Sequence, residues 1–302
     1  MKLHYYTGKQ PNFGDELNLL LWPRLIPDVL AQAPDMLFLG IGTILSHDTP
    51  AKLGKIVLGS GAGYRRPPTL DSTWDILGVR GPLTARTLGL PQRMAITDPA
   101  VLLNQLYTAP VTIRHRIAFM PHHDSQRLAD WRCICQQLGI HYIDPCSLAT
   151  ADIIDDIRRS GLLITEAMHG AIVADAFRVP WIPIVCYSHI LRFKWEDWCL
   201  SLGMQYQPER LPAISNIPLN VSPLKRLRHW LKYPAVKLKL LPERWSKLLP
   251  RPSSPEELER ATQQLALIAE TQRGVRLSSD PVLQQARERF QDAIQLLRRY
   301  YA

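Results

Sequence analysis

The chain has no run of about 18 uninterrupted apolar residues, so no membrane-spanning helix is expected from it. Its opening, Met1-Lys2-Leu3-His4-Tyr5-Tyr6, lacks the long apolar core of a secretory signal. Cysteine is scarce. The five residues Cys133, Cys135, Cys146, Cys186 and Cys199 are odd in number and scattered, and no pair has metal-type CxxC spacing. Neither a disulfide framework nor a thiolate metal site is expected, and a reduced, cytosolic setting is the simplest reading. No internal repeat stands out beyond an echo between two halves of the chain. What is present is ordinary for a globular protein: 302 residues, 34.4 kDa, 46% hydrophobic, 21% charged, mean hydropathy −0.11. Wholesale disorder and a fibrous chain are excluded, and the length suits two domains of roughly 150 residues each.

Charge is segregated. Of the formal +9, residues 221–251 carry nine Lys/Arg against the single Glu243, and the remainder holds 27 basic against 26 acidic residues. The same stretch interleaves Trp230, Trp245 and several leucines with the cations, a composition suited to an anionic membrane surface. A packing arm with solvated lysines and arginines is the competing reading. No other basic groove exists, so nucleic acid is not expected as a partner.

The first two-thirds repeats a strand–loop–helix order. Apolar runs at Leu3–Tyr6, Met36–Gly40, Lys55–Leu58, Asp75–Arg80 and Met94–Thr97 alternate with amphipathic or capped stretches, including Glu16–Leu25 and a Pro82 start. After a linker near 106–116 the order restarts, with strands at Ile117–Pro121, Ile140–Ile143, Leu162–Thr165 and Trp181–Cys186. Helices are expected between them at Ser125–Leu138, Ala151–Arg159 and Met168–Phe177. This predicts an α/β protein with two Rossmann-like domains, 1–108 and 109–215, whose parallel sheets face a cleft. Residues 216–302 form a basic, amphipathic, helical C-terminal extension; Ser253–Glu270 and Pro281–Tyr301 are its expected surface helices.

Several polar residues fall at the carboxyl ends of these strands, where ligands bind in such sheets. In Asn12-Phe13-Gly14-Asp15, Asp15 either orients or deprotonates a hydroxyl, or only caps the helix. Gly59-Ser60-Gly61 either brings backbone amides to an anion or makes a tight turn. It does not fit the dinucleotide fingerprint, so no nicotinamide cofactor is expected. Arg80 offers a fork for carboxylate or phosphate, or an ion pair tying loop to helix. His122, in Pro121-His122-His123-Asp124, can bind an anion or move a proton. Adjacent residues rarely chelate one ion, so no metal is expected there. The sharpest feature is Thr165-Glu166-Ala167-Met168-His169-Gly170, where His169 opens an apolar helix among small residues and is placed for proton transfer. Lys194, in Arg192-Phe193-Lys194, can close over a phosphate.

Taken in order, Asn12-Phe13-Gly14-Asp15, Gly59-Ser60-Gly61, Val79-Arg80-Gly81-Pro82, Asp98-Pro99, Pro121-His122, Met168-His169-Gly170 and Phe193-Lys194 resemble the polysaccharide pyruvyl transferase family. The likeness is closer to its exopolysaccharide ketal-pyruvate, succinoglycan-ketolase-like members, and it covers about residues 1–200. The resemblance implies a two-domain frame of the GT-B kind. It also implies transfer of a pyruvyl group from phosphoenolpyruvate to a sugar of an exopolysaccharide or cell-surface glycan precursor, as a ketal, without a redox cofactor. It makes His169 the acid and Asp15 the base or orienting group. Arg80, His122 and Lys194 with the amides of Gly59, Ser60 and Gly61 would hold the donor, and Asn12, Gly14 and Met168 would support the acceptor side. One departure is Ala167, where some relatives carry arginine. A lipid-linked oligosaccharide acceptor would give residues 221–251 a purpose at the inner face of the plasma membrane. The alternatives are a GT-B glycosyltransferase using a nucleotide sugar and a non-catalytic, membrane-attached assembly factor.

Overall fold

Nearly continuous apolar strands are the local signature of a parallel sheet buried on both faces, and two such sheets form. The computed structural model describes residues 1–8, 10–215 and 252–302. The basic segment 221–251, and with it the expected membrane contact, lies outside the described residues. In the first unit, β1 (Lys2–Leu3), β2 (Met36–Leu39), β3 (Gly54–Leu58) and β4 (Trp74–Gly78) pair in parallel in the order β1-β2-β3-β4. In the second, β5 (Ala118–Met120), β6 (His141–Tyr142), β7 (Leu163–Thr165), β8 (Trp181–Val185) and β9 (Glu209–Arg210) run parallel in the order β6-β5-β7-β8-β9.

The helices start where their sequences favour it. Helix α1 (Phe13–Leu25) is capped by Asn12, carries Asp15 and Glu16 in its first turn, and stops before Pro27, which opens the short α2 (Pro27–Leu30). Pro82 begins α3 (Pro82–Thr87). Asp98 caps a 3-10 segment, Pro99–Gln105, through the amide of Ala100. In the second unit, α4 (Trp131–Gln137), α5 (Thr150–Arg158), α6 (Met168–Ala176) and α7 (Arg192–Ser201) follow. Every residue of α6 except His169 is buried, as its largely apolar sequence favours, and the one buried charge, Asp175, accepts from Trp181 Nε1 and the Ser278 amide.

Three expectations change. The helix expected from Ser125 begins at Trp131, because residues 122–125 are bonded to a buried glutamate and Asp130 supplies the cap. The strand expected at Met94–Thr97 is reduced to one parallel bridge, Val79 to Ala95. The first helix, expected from Glu16, begins at Phe13, because Asn12 supplies the cap. The Arg192–Trp198 stretch, for which no element was expected, is a helix held by the buried Trp195 and Trp198.

The two C-terminal helices complete both cores. Ser254 starts α8 (Pro255–Thr271) with a reciprocal capping box, and Ala261, Leu265 and Ile268 pack beside Ile117 and Phe119 of the second unit. The chain then forms an antiparallel bridge from Arg276 to Trp181 and returns to the first unit as α9 (Asp280–Tyr301). There Leu283, Phe290 and Leu297 join an apolar cluster containing Phe13, Leu17 and Trp22 of α1 and Ile172 and Val173 of α6. No helix of the described residues is long and apolar enough to cross a membrane.

Candidate active site

The loops after the strands bring a compact set of ionisable groups together. The Asn12 amide donates to Asp15 Oδ2 at 2.7 Å and its side-chain oxygen faces the Gly14 amide. Asp15 is only 8% exposed. Burial is the main reason its carboxyl is pushed up to about 6; His169, the Asn12 hydrogen bond and Lys194 oppose the rise. Gly14 lies against the imidazole, since a Cβ there would fall 1.9 Å from His169 Nδ1. Glycine at this position is what allows α1 to approach α6. Asn18 fixes α1 to the loop after β2: its amide donates to the carbonyls of Asp15 and Ile41 and its oxygen accepts from Ile41 N–H and Trp22 Nε1.

His169 Nε2 lies 3.4 Å from Oδ2 of Asp98, whose side chain is fully buried. Asp98 Oδ1 accepts the Ala100 amide, and among the described residues Oδ2 has no hydrogen bond and faces only this imidazole. The sequence reading used Asp98-Pro99 as a motif without giving the aspartate a role. The signal was present: an acidic residue just before a proline, after a strand-like run.

His122 is 5% exposed, and its Nδ1 accepts the Asp124 amide at 3.3 Å. The ring proton is thereby assigned to Nε2. Burial, with Lys194, His123 and His189 adding to it, holds His122 well below the ordinary histidine range. His122 is therefore a neutral hydrogen-bond donor near pH 7. Lys194, also 8% exposed, donates to the Tyr64 hydroxyl at 3.0 Å and acts electrostatically on both Asp15 and His122. It is a buried cation between the two groups.

Glu166 organises this side of the site. Its carboxylate accepts from the amides of Cys186, Tyr187 and His122 at 2.7, 3.3 and 3.5 Å, and from the Ser125 hydroxyl. Burial raises its pKa against these bonds. Sequence reasoning passed over Glu166, although it sits at a strand end three residues before His169.

Two of the groups expected at the donor site have partners within the protein. Arg80 is fully buried and its guanidinium is engaged inside the protein: Nε to Asp197 at 3.1 Å, Nη1 to Thr43 Oγ1 at 2.7 Å and Nη2 to the Ala62 carbonyl at 3.3 Å. It is the ion pair between loop and helix, not a cation presented beside His169. The Gly59-Ser60-Gly61 loop gives its polar groups to protein carbonyls. Gly59 N–H goes to Gly78, Gly61 N–H to Gly42 and the Ser60 hydroxyl to Gly40. Gly59 has φ of +99° and packs on Pro99, and a Cβ at Gly61 would collide with the Arg80 guanidinium. These glycines serve close packing rather than an anion cradle. Met168 is a core residue, 2% exposed. By contrast, the N-cap of α6 is Ala167, which offers no side-chain cap, so the first-turn amides are left for other partners.

A cavity of about 200 Å³ opens beside Asp15, walled by Tyr6, Gln10, Asn12 and Glu16 among others. A buried acid–imidazole pair, a second buried carboxylate beside it, one buried lysine and a neutral histidine can together protonate one centre, deprotonate another and hold an anion.

Residues 34–189 match the family model described as polysaccharide pyruvyl transferase. A curated relative, the succinoglycan biosynthesis protein ExoV of Rhizobium meliloti (strain 1021), is 42% identical over 217 residues, covering 70% of this chain and 68% of the relative. No solved structure matches the chain.

Proposed function

From the premise that the chain belongs to the polysaccharide pyruvyl transferase family, we propose that it transfers the pyruvyl group of phosphoenolpyruvate to two hydroxyls of a glycan precursor, forming a ketal. The observation that carries this reading is the convergence of His169, Asp98, Asp15 and Lys194 at adjoining strand ends. The first acceptor hydroxyl gives its proton to Asp15 as its oxygen bonds to C2 of the donor. His169 delivers a proton to the methylene carbon, making the methyl group. Asp98, 3.4 Å from Nε2, faces the imidazolium with its carboxylate and orients the ring. The C2–O bond to phosphate breaks, the second hydroxyl closes the ring on the oxocarbenium centre, and its proton leaves with the phosphate. The proton held by Asp15 then passes to the deprotonated His169, which restores both groups, so the net change is one proton to the methyl group and one to phosphate.

Lys194, the Nε2–H of His122 and the uncapped amides of α6 would bind the donor's carboxylate and phosphate. They take the place of the arginine that some relatives have at the position of Ala167. No cofactor is required by these steps. The acceptor is proposed to be a lipid-linked oligosaccharide, and residues 221–251 to hold the protein against the anionic inner face of the plasma membrane.

The test is phosphate release from phosphoenolpyruvate in the presence of an acceptor glycan. Wild type should release phosphate, and His169→Ala should fall by about 100-fold or more, the scale of a lost general acid. Retained release in His169→Ala defeats the assignment of the acid, and activity only with a nucleotide sugar defeats the reading as a whole.

A further inference from the structure

We propose that His115, His141 and Asp156 bind one divalent metal ion of the zinc type, and that the ion staples the edge of the second sheet to helix α5. The proposal concerns a structural site and does not rest on the pyruvyl-transfer reading. His115 precedes β5 and His141 opens β6, whereas His122 and Glu166 follow β5 and β7. These strands are parallel, so the cluster and the candidate active site lie at opposite ends of the sheet.

Three separate elements bring the ligands together. One ligand atom from each side chain lies within 4.8 Å of the others. Asp156 faces both rings with a single carboxylate: Oδ2 is 3.1 Å from His141 Nε2, and Oδ1 is 4.0 Å from His115 Nε2. The two imidazoles stack, with centroids 3.7 Å apart and planes 5° from parallel. The backbones beneath them are fixed. His115 N–H donates to the Arg159 carbonyl at 3.1 Å, and the His115 carbonyl accepts from Gly161 at 2.8 Å. His141 N–H donates to the Ile117 carbonyl at 3.0 Å. Helix α5, which carries Asp156, is seated by the buried Ile153, Ile154 and Ile157.

One atom of the cluster has an unmet demand. His141 Nε2 is closed to solvent, yet it makes no hydrogen bond among the described residues. Asp156 Oδ2 is near enough to accept one, so direction fails rather than distance. A buried ring nitrogen left in this state is costly. An ion between ring and carboxylate supplies the partner.

The donor set selects the ion. Two imidazoles and a carboxylate bind zinc at about 2.0–2.2 Å, and water can complete the tetrahedron. All three side chains are partly exposed, which admits both ion and water. Arg114 and Arg159 act electrostatically on His115, which disfavours a hard cation drawn by charge alone, such as Mg²⁺. Loading turns the rings out of parallel until both Nε2 lone pairs meet one ion, and the stack ends. The gain falls where pairing is weakest: β6 is two residues long and pairs only with β5, at the edge of the sheet.

Zinc titration of the full chain, first stripped with EDTA, tests the site. Wild type should bind one equivalent and melt several degrees higher than in EDTA, with no rise in Mg²⁺. His115→Phe keeps a ring for the stack and removes a ligand. It and Asp156→Asn should each weaken zinc binding about tenfold or more. Cys133→Ser and His123→Ala, at other potential ligands, should bind as wild type. Imidazole nitrogen NMR of wild type needs no variant to fold: Nε2 of His115 and of His141 should shift together as zinc is added. The proposal is overturned by the absence of a zinc-dependent rise, by an equal rise in Mg²⁺, or by wild-type binding in both His115→Phe and Asp156→Asn. Loss of binding in Cys133→Ser or His123→Ala, or nitrogen shifts confined to other histidines, would equally overturn it.

Discussion

Asp15 concentrates the conflict between folding and chemistry. A carboxyl pushed up to about 6 by burial is a penalty on the folded state whenever it is ionised. The sign follows from proton counting. Between the ordinary carboxyl value and about 6, the folded state holds the proton more tightly than the unfolded one, so stability falls as pH rises through that window. Above it the full penalty stands, about 1–3 kcal/mol for a shift of this size. Asp15→Asn should therefore raise the melting temperature at pH 7.5, with a gain that shrinks toward pH 4, while pyruvyl transfer is lost. Wild-type turnover should fall as pH drops through about 6, where the base takes up its proton. A variant that is both less stable and fully active would contradict both halves. The shift depends on Asn12, His169 and Lys194 as well as on burial, and that is why the sequence could nominate Asp15 but not choose between cap and base: the deciding neighbours lie up to 179 residues away.

At the scale of elements, what was legible was periodicity and punctuation. The apolar runs before Gly40, Gly59 and Ala167 gave strands within a residue or two, and Pro82 and the serines before Pro255 marked helix starts where they occur, whereas the first helix, expected from Glu16 with Asp15 as a possible cap, starts at Phe13 under Asn12. What was not legible was where a polar group would aim once its element packed. Arg80 illustrates this. At the end of β4 it was placed for a ligand, yet Asp197, 117 residues later, takes its Nε and also accepts from the Thr84 amide and hydroxyl at 2.9 and 2.6 Å. Asp197 lies one turn beyond Lys194 on α7, so the pair fixes the helix that presents the buried lysine. Removing one member of a buried pair strands the other charge and costs about 3–5 kcal/mol. Arg80→Met should lower stability on that scale in urea unfolding, and Asp197→Leu combined with it should recover part of the loss. If Arg80 touched the donor instead, the variant would keep its stability and raise KM for phosphoenolpyruvate.

For the whole molecule, the chain closes on itself. Helix α9 returns from the second unit to the first, where Arg298 pairs with Asp28 at 2.7 Å, Tyr301 donates to Asp75 at 2.8 Å and Arg287 reaches the carbonyls of Val101 and Ala176. Residues 221–251 are inserted before this closure, and they hold eight of the nine net positive charges. A globular body that is close to neutral gains no general attraction to anionic lipid, so any such attraction must come from that insert. Each basic residue near an anionic surface contributes about 1 kcal/mol, and the sum is screened by salt. The full chain should therefore float with phosphatidylserine-containing vesicles at low salt, release as ionic strength rises, and stay unbound on phosphatidylcholine alone. A chain in which 221–251 is replaced by a short neutral linker leaves α8 and α9 to pack as before. It should lose flotation yet keep phosphate release with a soluble acceptor, because every group assigned to the candidate site lies among the described residues. Equal flotation of the two forms would assign the cations to solvent and leave the acceptor's location to other features of the glycan.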